Sequence, residues 1–155
     1  MTTPSVPLKL LEWTPEYSVH VPEIDREHRI WFATVDRLHQ AMLAGKGKDL
    51  LKPLLAEANQ YTLVHFAREE KLMADIHYPG IPDHAQQHAA LTVKVQEFAG
   101  RYERGETTLT IELTLFLSEW IKRHVMTIDI RLGEYIRATA AAAGQAPLLL
   151  APLLE

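Results

Sequence analysis

Along four long stretches of the chain, apolar residues recur every three or four positions, the period of a helix with one buried face. The first stretch runs from about Glu23 to Ala44, opened by Pro22 and closed by Gly45, Lys46 and Gly47, with Ile24, His28, Trp31, Val35, Leu38 and Met42 on its inner stripe. A second starts near Asp49, tolerates Pro53 in its first turn and ends before His77-Tyr78-Pro79-Gly80; its stripe is Leu51, Leu54, Ala58, Tyr61, His65, Glu69, Leu72 and Ile76. The third begins around Pro82 and carries His84, His88, Leu91, Val95, Phe98 and Tyr102 before Gly105 stops it. The fourth opens near Thr107 or Thr108 and carries Leu109, Leu113, Phe116, Trp120, His124, Ile128, Leu132 and Tyr135.

No period-two pattern lies between these stretches, so the chain reads as all-α. Four amphipathic helices with short connections bury their stripes only against one another, which predicts an up-down-up-down antiparallel four-helix bundle over residues 22–140. Residues 1–21 form an N-terminal arm whose Leu10, Leu11, Trp13 and Tyr17 are large enough to pack on the bundle. Residues 141–155 form an Ala/Leu/Pro-rich tail, in which Leu148 to Leu154 can cap a groove or contact a protein partner or a second copy.

Length and charge narrow the classes. At 155 residues one domain is expected, and sixteen basic against twenty acidic residues give −4 with no basic stripe, which excludes nucleic acid as a partner. Residues Met1 to Lys9 lack the pattern of a secretory signal, and the apolar end, broken by Pro147 and Pro152, is too short to span a bilayer. A cytoplasmic location with no membrane span is the expectation. With no cysteine, any bound metal must be held by nitrogen and oxygen.

Each stripe contains residues that do not belong in an apolar core: His28, His65, Glu69, His84, His88, His124 and Asp129. One such histidine alone reads as a hydrogen-bonded core residue. Seven in register are different, because buried carboxylates need compensation that a metal centre supplies. Antiparallel packing brings the start of the first helix, the end of the second, the start of the third and the later half of the fourth to one level. His65 with Glu69 and His84 with His88 are i, i+4 pairs on single faces. His124 and Asp129 are five apart, which on a regular helix turns them roughly 140° from each other; the spacing predicts a local π-like widening or an Asp129 that approaches from the side. His20, His39 and His77 read as surface or loop residues, Glu23, Asp25, Glu27 and Glu70 as solvated helix charges, and Met73 and Met126 as packing residues.

Together, Trp13 to Val19, Ile24 to His28, the block His65-Phe66-Ala67-Arg68-Glu69-Glu70, Tyr78-Pro79 with His84 and His88, and Trp120 to Asp129 closely resemble the hemerythrin family, single-domain bacterial hemerythrins in particular. The resemblance implies a carboxylate-bridged di-iron centre that binds dioxygen reversibly. Residue by residue, it implies that His84, His88 and His124 bind one iron, that His28 and His65 bind the other, and that Glu69 and Asp129 bridge them. Counting one bridging hydroxide, the first iron is six-coordinate and the second keeps a position open for dioxygen. The resemblance further points to Trp31, Phe66, Trp120, Ile121 and Val125 as an oxygen pocket that excludes bulk water.

Oxygen storage, transport or delivery without catalysis is the function so implied. An oxygen, nitric oxide or redox sensor shares the same binding chemistry. A di-iron oxidase or peroxidase is the enzyme alternative, although ferritin-like oxidases carry four glutamates and two Glu-x-x-His pairs, and no such pair stands at these positions. A zinc or manganese hydrolase in the same pocket is a weaker enzyme reading.

Overall fold

The computed structural model describes residues 9–46, 48–106, 109–142 and 144. Gly47, the expected helix start at Thr107 or Thr108, the first eight residues of the arm and the leucines of the tail lie outside them. Five helical segments follow in order: α1 (Pro22–Leu43), α2 (Lys48–Asp75), α3 (Ile81–Glu103), α4 (Leu109–His124) and α5 (Ile130–Ala142). Among the described residues there is no strand, and no helix is long and apolar enough to cross a membrane.

Local chemistry sets these limits. Pro22 occupies the first turn of α1 and Pro82 that of α3, where a missing N–H costs nothing. Gly45 and Gly105 sit at positive φ after α1 and α3 and close both helices by paired bonds, Gly45 N–H to Met42 O and Lys46 N–H to Ala41 O in the first case. Pro53 lies inside α2 rather than in its first turn. The helix ends with His77 at φ 54, in the left-handed conformation usual for glycine. There Tyr78 N–H bonds Met73 O, and the Tyr135 hydroxyl reaches across from α5 to the carbonyls of Ile76 and His77.

α1 packs on α2 and α4, and α3 packs on the same two, so the four rods form a closed antiparallel ring. A helix wedged between two neighbours buries more than one narrow stripe. Phe32, Thr34 and His39 of α1 are therefore buried beside the expected Trp31, Val35 and Leu38. His39 is thus not a surface residue: its Nδ1 lies 2.8 Å from Thr114 Oγ1 on α4. Met73 packs as expected, whereas Met126 is exposed.

α4 and α5 belong to one rod interrupted at Val125–Asp129 by a π-helical turn, in which Ile130 N–H donates to Val125 O five residues back. Its buried positions are Leu113, Thr114, Leu117, Ser118, Ile121, His124, Val125, Asp129, Leu132, Gly133, Ile136 and Ala140, the three-and-four spacing of one helical face stretched once, between Val125 and Asp129. The extra residue of the π turn brings Asp129, five residues after His124, onto that face.

The arm runs back along α1. Asp36 accepts the backbone N–H groups of Leu10 and Leu11, Arg29 covers the Trp13 ring at 4.2 Å, and Tyr17 meets Phe32 edge-on. Asp25 turns back to accept Val19 N–H at 2.8 Å and the Ser18 hydroxyl at 2.5 Å. Val19 and Val21 are wholly buried, Val19 against Gly133 of α5, so the arm closes one end of the bundle.

Candidate metal centre

The seven stripe residues meet at the closed end. All seven are at least 98% buried, and their side-chain atoms form two clusters in which every donor lies within 4.8 Å of the others: Glu69, His84, His88, His124 and Asp129, and His28, His65, Glu69 and Asp129. Helical register places each of them. His65 and Glu69 share a face of α2, His84 and His88 share a face of α3, His28 projects from the second turn of α1, and the π turn carries Asp129 round to the side of His124.

The carboxylates face both ways. Glu69 Oε1 lies 3.4 Å from His65 Nε2 and 3.7 Å from His28 Nε2, while its Oε2 lies 3.2 Å from His84 Nε2 and 3.3 Å from His88 Nε2. Asp129 Oδ2 lies 3.0 Å from His28 Nε2, and its Oδ1 lies 3.0 Å from the Nε2 atoms of both His84 and His124. Each acid thus offers one oxygen to each cluster, the disposition of a bridging ligand.

These approaches are close without all being hydrogen bonds. His28 Nε2, His65 Nε2, Glu69 Oε1 and both Asp129 oxygens are buried with no hydrogen bond of acceptable geometry. Ligands on neighbouring corners of an octahedral ion with bonds of about 2.1 Å sit roughly 3 Å apart, the spacing seen here. Orphaned donors converging at that spacing, all nitrogen and oxygen, suit first-row divalent metal.

Without metal, protons provide the positive charge. Burial opposes the His28 imidazolium, but the close approach of the Asp129 and Glu69 carboxylates outweighs it and raises its pKa to about 10; the same balance raises His84 to about 9. Burial also opposes the charge on Glu69, yet His65 and the close imidazoles of His28, His84 and His88 hold its carboxyl well below the usual range. Asp129 is pushed up by burial and by Glu69, and pulled down further by His124 and His28.

The signs give a testable pH dependence. The histidine contributions are complete below the ordinary value of 6.5 and disappear as pH rises through about 9 and 10. The carboxylate contributions are present above their ordinary pKa values and are lost on acidification through the depressed ones. The metal-free chain should therefore melt at progressively lower temperature from pH 6.5 to pH 10, and Fe(II) should bind more tightly, with proton release, over the same range. A metal-free melting temperature that is flat or rising across that interval contradicts this electrostatic arrangement.

The five expected pocket residues belong to the core around the histidines, with Trp120 half-buried. Phe66 stacks on His88 at 3.7 Å and Trp120 on His124 at 4.4 Å; Trp31 lies 5.3 Å from His65 and 6.3 Å from His28. The Trp31 indole N–H donates to Thr62, which fixes the ring.

Three residues outside the seven bond the far nitrogens of the imidazoles: Glu27 to His65, Glu70 to His88 and Gln87 to His124. Glu27 and Asp25 are buried, so the reading of these two as solvated charges is wrong; Glu70 keeps 43% of its side chain exposed while bonding His88. Glu23 is half-buried, with a buried Oε2. One signal was available for Glu27, which stands three residues after Ile24 and four before Trp31, at the edge of the buried stripe. His20 and His77 are exposed, as expected.

Comparison with known proteins gives the arrangement its family. Residues 19–136 match the model of the hemerythrin HHE cation binding domain. The chain is 28% identical to a bacteriohemerythrin of Stenotrophomonas maltophilia over 84% of each chain, and 30% identical to one of Pseudomonas aeruginosa over 82% of each. A myohemerythrin of Riftia pachyptila is 25% identical, covering 77% of this chain and 88% of its own. A crystal structure of a point mutant superposes with a TM-score of 0.75 at 25% identity, over 81% of this chain and 96% of that one. With a match spanning the arm's end to α5 and enclosing both donor clusters, the chain belongs to the hemerythrin family, and its domain binds a di-iron centre.

Proposed function

We propose that the protein binds dioxygen reversibly at this centre, to store, transport or deliver the gas rather than to transform it, with residues 22–140 as the oxygen-binding unit. The inequality of the two donor clusters carries the reading. His84, His88 and His124 give one iron three nitrogens, His28 and His65 give the other two, and Glu69 and Asp129 are shared. The two-histidine position is one protein donor short, which suits it to an exogenous diatomic ligand. When bound, the irons supply the electrons that hold dioxygen.

The chain's own residues shape what surrounds that position. Trp31 and Phe66 lie against His65, and Ile121 and Val125 are fully buried in the same core, so bulk water is kept from the open side. Five imidazoles with two carboxylates contrast with the four glutamates of ferritin-like oxidases and favour binding over oxidation.

Anaerobic loading with Fe(II), iron counting and optical spectra through cycles of air and deoxygenation test the proposal. Two irons per chain and a visible charge-transfer band that comes and goes with oxygen are expected. Permanent oxidation accompanied by product turnover would overturn it.

A further inference from the structure

We infer that Glu27 is a positioning residue for the two-histidine metal position, held in that role by Arg68; the inference rests on the di-iron reading above. Glu27 and His28 are consecutive on α1 and serve the same metal by different routes. His28 turns its Nε2 inward, 3.0 Å from Asp129 Oδ2. Glu27, rotated about 100° around the helix, leans on α2, where its Oε1 lies 3.2 Å from His65 Nδ1.

That contact decides which face His65 presents. A neutral imidazole carries its proton on either nitrogen, and a carboxylate beside Nδ1 keeps the proton there and leaves the Nε2 lone pair for a metal. His65 Nε2 is the atom that faces Glu69. One turn of α1 thus supplies one histidine of the pair and orients the other.

Glu27 is built for this use. It is 5% exposed, and a buried carboxylate is costly unless compensated. Arg68, three residues beyond His65 on α2, places Nη2 3.7 Å from Glu27 Oε2. Tyr61, four residues before His65, donates its hydroxyl to the Glu27 carbonyl and lies parallel to the His65 ring. Tyr61, His65 and Arg68 therefore meet Glu27 from one face of α2. The other supports are looser: Glu70 beside His88 is 43% exposed, Gln87 beside His124 is a neutral amide, and the Nδ1 atoms of His28 and His84 have no hydrogen-bond partner among the described residues.

The test compares wild type with Glu27→Ala, Glu27→Gln and Arg68→Met, first metal-free by nitrogen NMR of the His65 ring, then loaded anaerobically with Fe(II). Wild type and Glu27→Gln should keep the proton on Nδ1, whereas Glu27→Ala should lose that preference. Glu27→Ala should bind its second iron about 10- to 100-fold more weakly and fall toward one iron per chain, with Glu27→Gln within about tenfold of wild type. A merely structural role would lower the melting temperature and leave the ring protonation unchanged. Wild type failing to hold two irons would overturn the di-iron reading itself. Wild type holding two, with Glu27→Ala unchanged in affinity and His65 protonation, would overturn the role of Glu27 alone. Should Glu27→Ala fail to fold, Arg68→Met decides: an unshifted His65 resonance and an unshifted charge-transfer band in that variant would overturn the role of the Glu27–Arg68 pair.

Discussion

Glu69→Ala should leave the chain unable to retain a pair of irons. One substitution removes a donor oxygen from each cluster, because Oε1 faces His28 and His65 while Oε2 faces His84 and His88. Loss of a supporting residue outside the ligand set already costs about 10- to 100-fold in metal affinity, so loss of a shared ligand should exceed that. Iron should fall from two to at most one per chain, and oxygen-dependent spectral cycling should vanish. Asp129→Ala should behave alike, since its oxygens divide in the same way. The metal-free variants should also be less stable by about 3–5 kcal/mol, the cost of stranding a buried ionic partner. Circular dichroism separates that loss from unfolding, and retention of both irons with normal cycling in either variant would refute the bridging roles.

The second large effect lies away from the metal ligands. A Cβ added at Gly133 would stand 2.3 Å from the Val19 carbonyl oxygen and 3.0 Å from Val19 Cβ. Both neighbours belong to a segment pinned by Asp25, so neither gives way easily. Gly133→Ala should cost about 2–3 kcal/mol, a fall of roughly 5–10 °C in melting temperature for a chain of this size. Gly100→Ala is the matched control. Its added Cβ meets only the flexible end of Arg104 at 3.3 Å, so the gain in helix propensity, about 0.5–1 kcal/mol, should prevail. Chemical denaturation of the two metal-free variants checks the pair. Equal stabilities would show that the approach of Val19 to α5 does not constrain position 133.

Much of this architecture was legible along the chain because the donors obey the same period as the core. His65 with Glu69 and His84 with His88 announce shared faces, and the five-residue gap between His124 and Asp129 announces the π turn that the structure contains. Residues whose partners are remote in sequence were not legible. Glu27 reads as a solvated charge until His65 and Arg68 arrive from α2, and His39 as a surface residue until Thr114 arrives from α4; Asp25 was missed for another reason, because its partners Val19 and Ser18, six and seven residues back, lie in an arm without helical period. Periodicity identifies a buried face, whereas the burial of one charge at its edge depends on a counterpart dozens of residues away.

The arm has a kinetic corollary. By folding over the bundle end that houses the ligands, with Val19 wedged on α5 and Asp25 and Asp36 fastening it at two points, it stands where it should hinder iron from leaving through that end. Chelators should then strip iron at a rate set by release of the arm, so weakening either fastening should hasten demetallation even where equilibrium affinity barely changes.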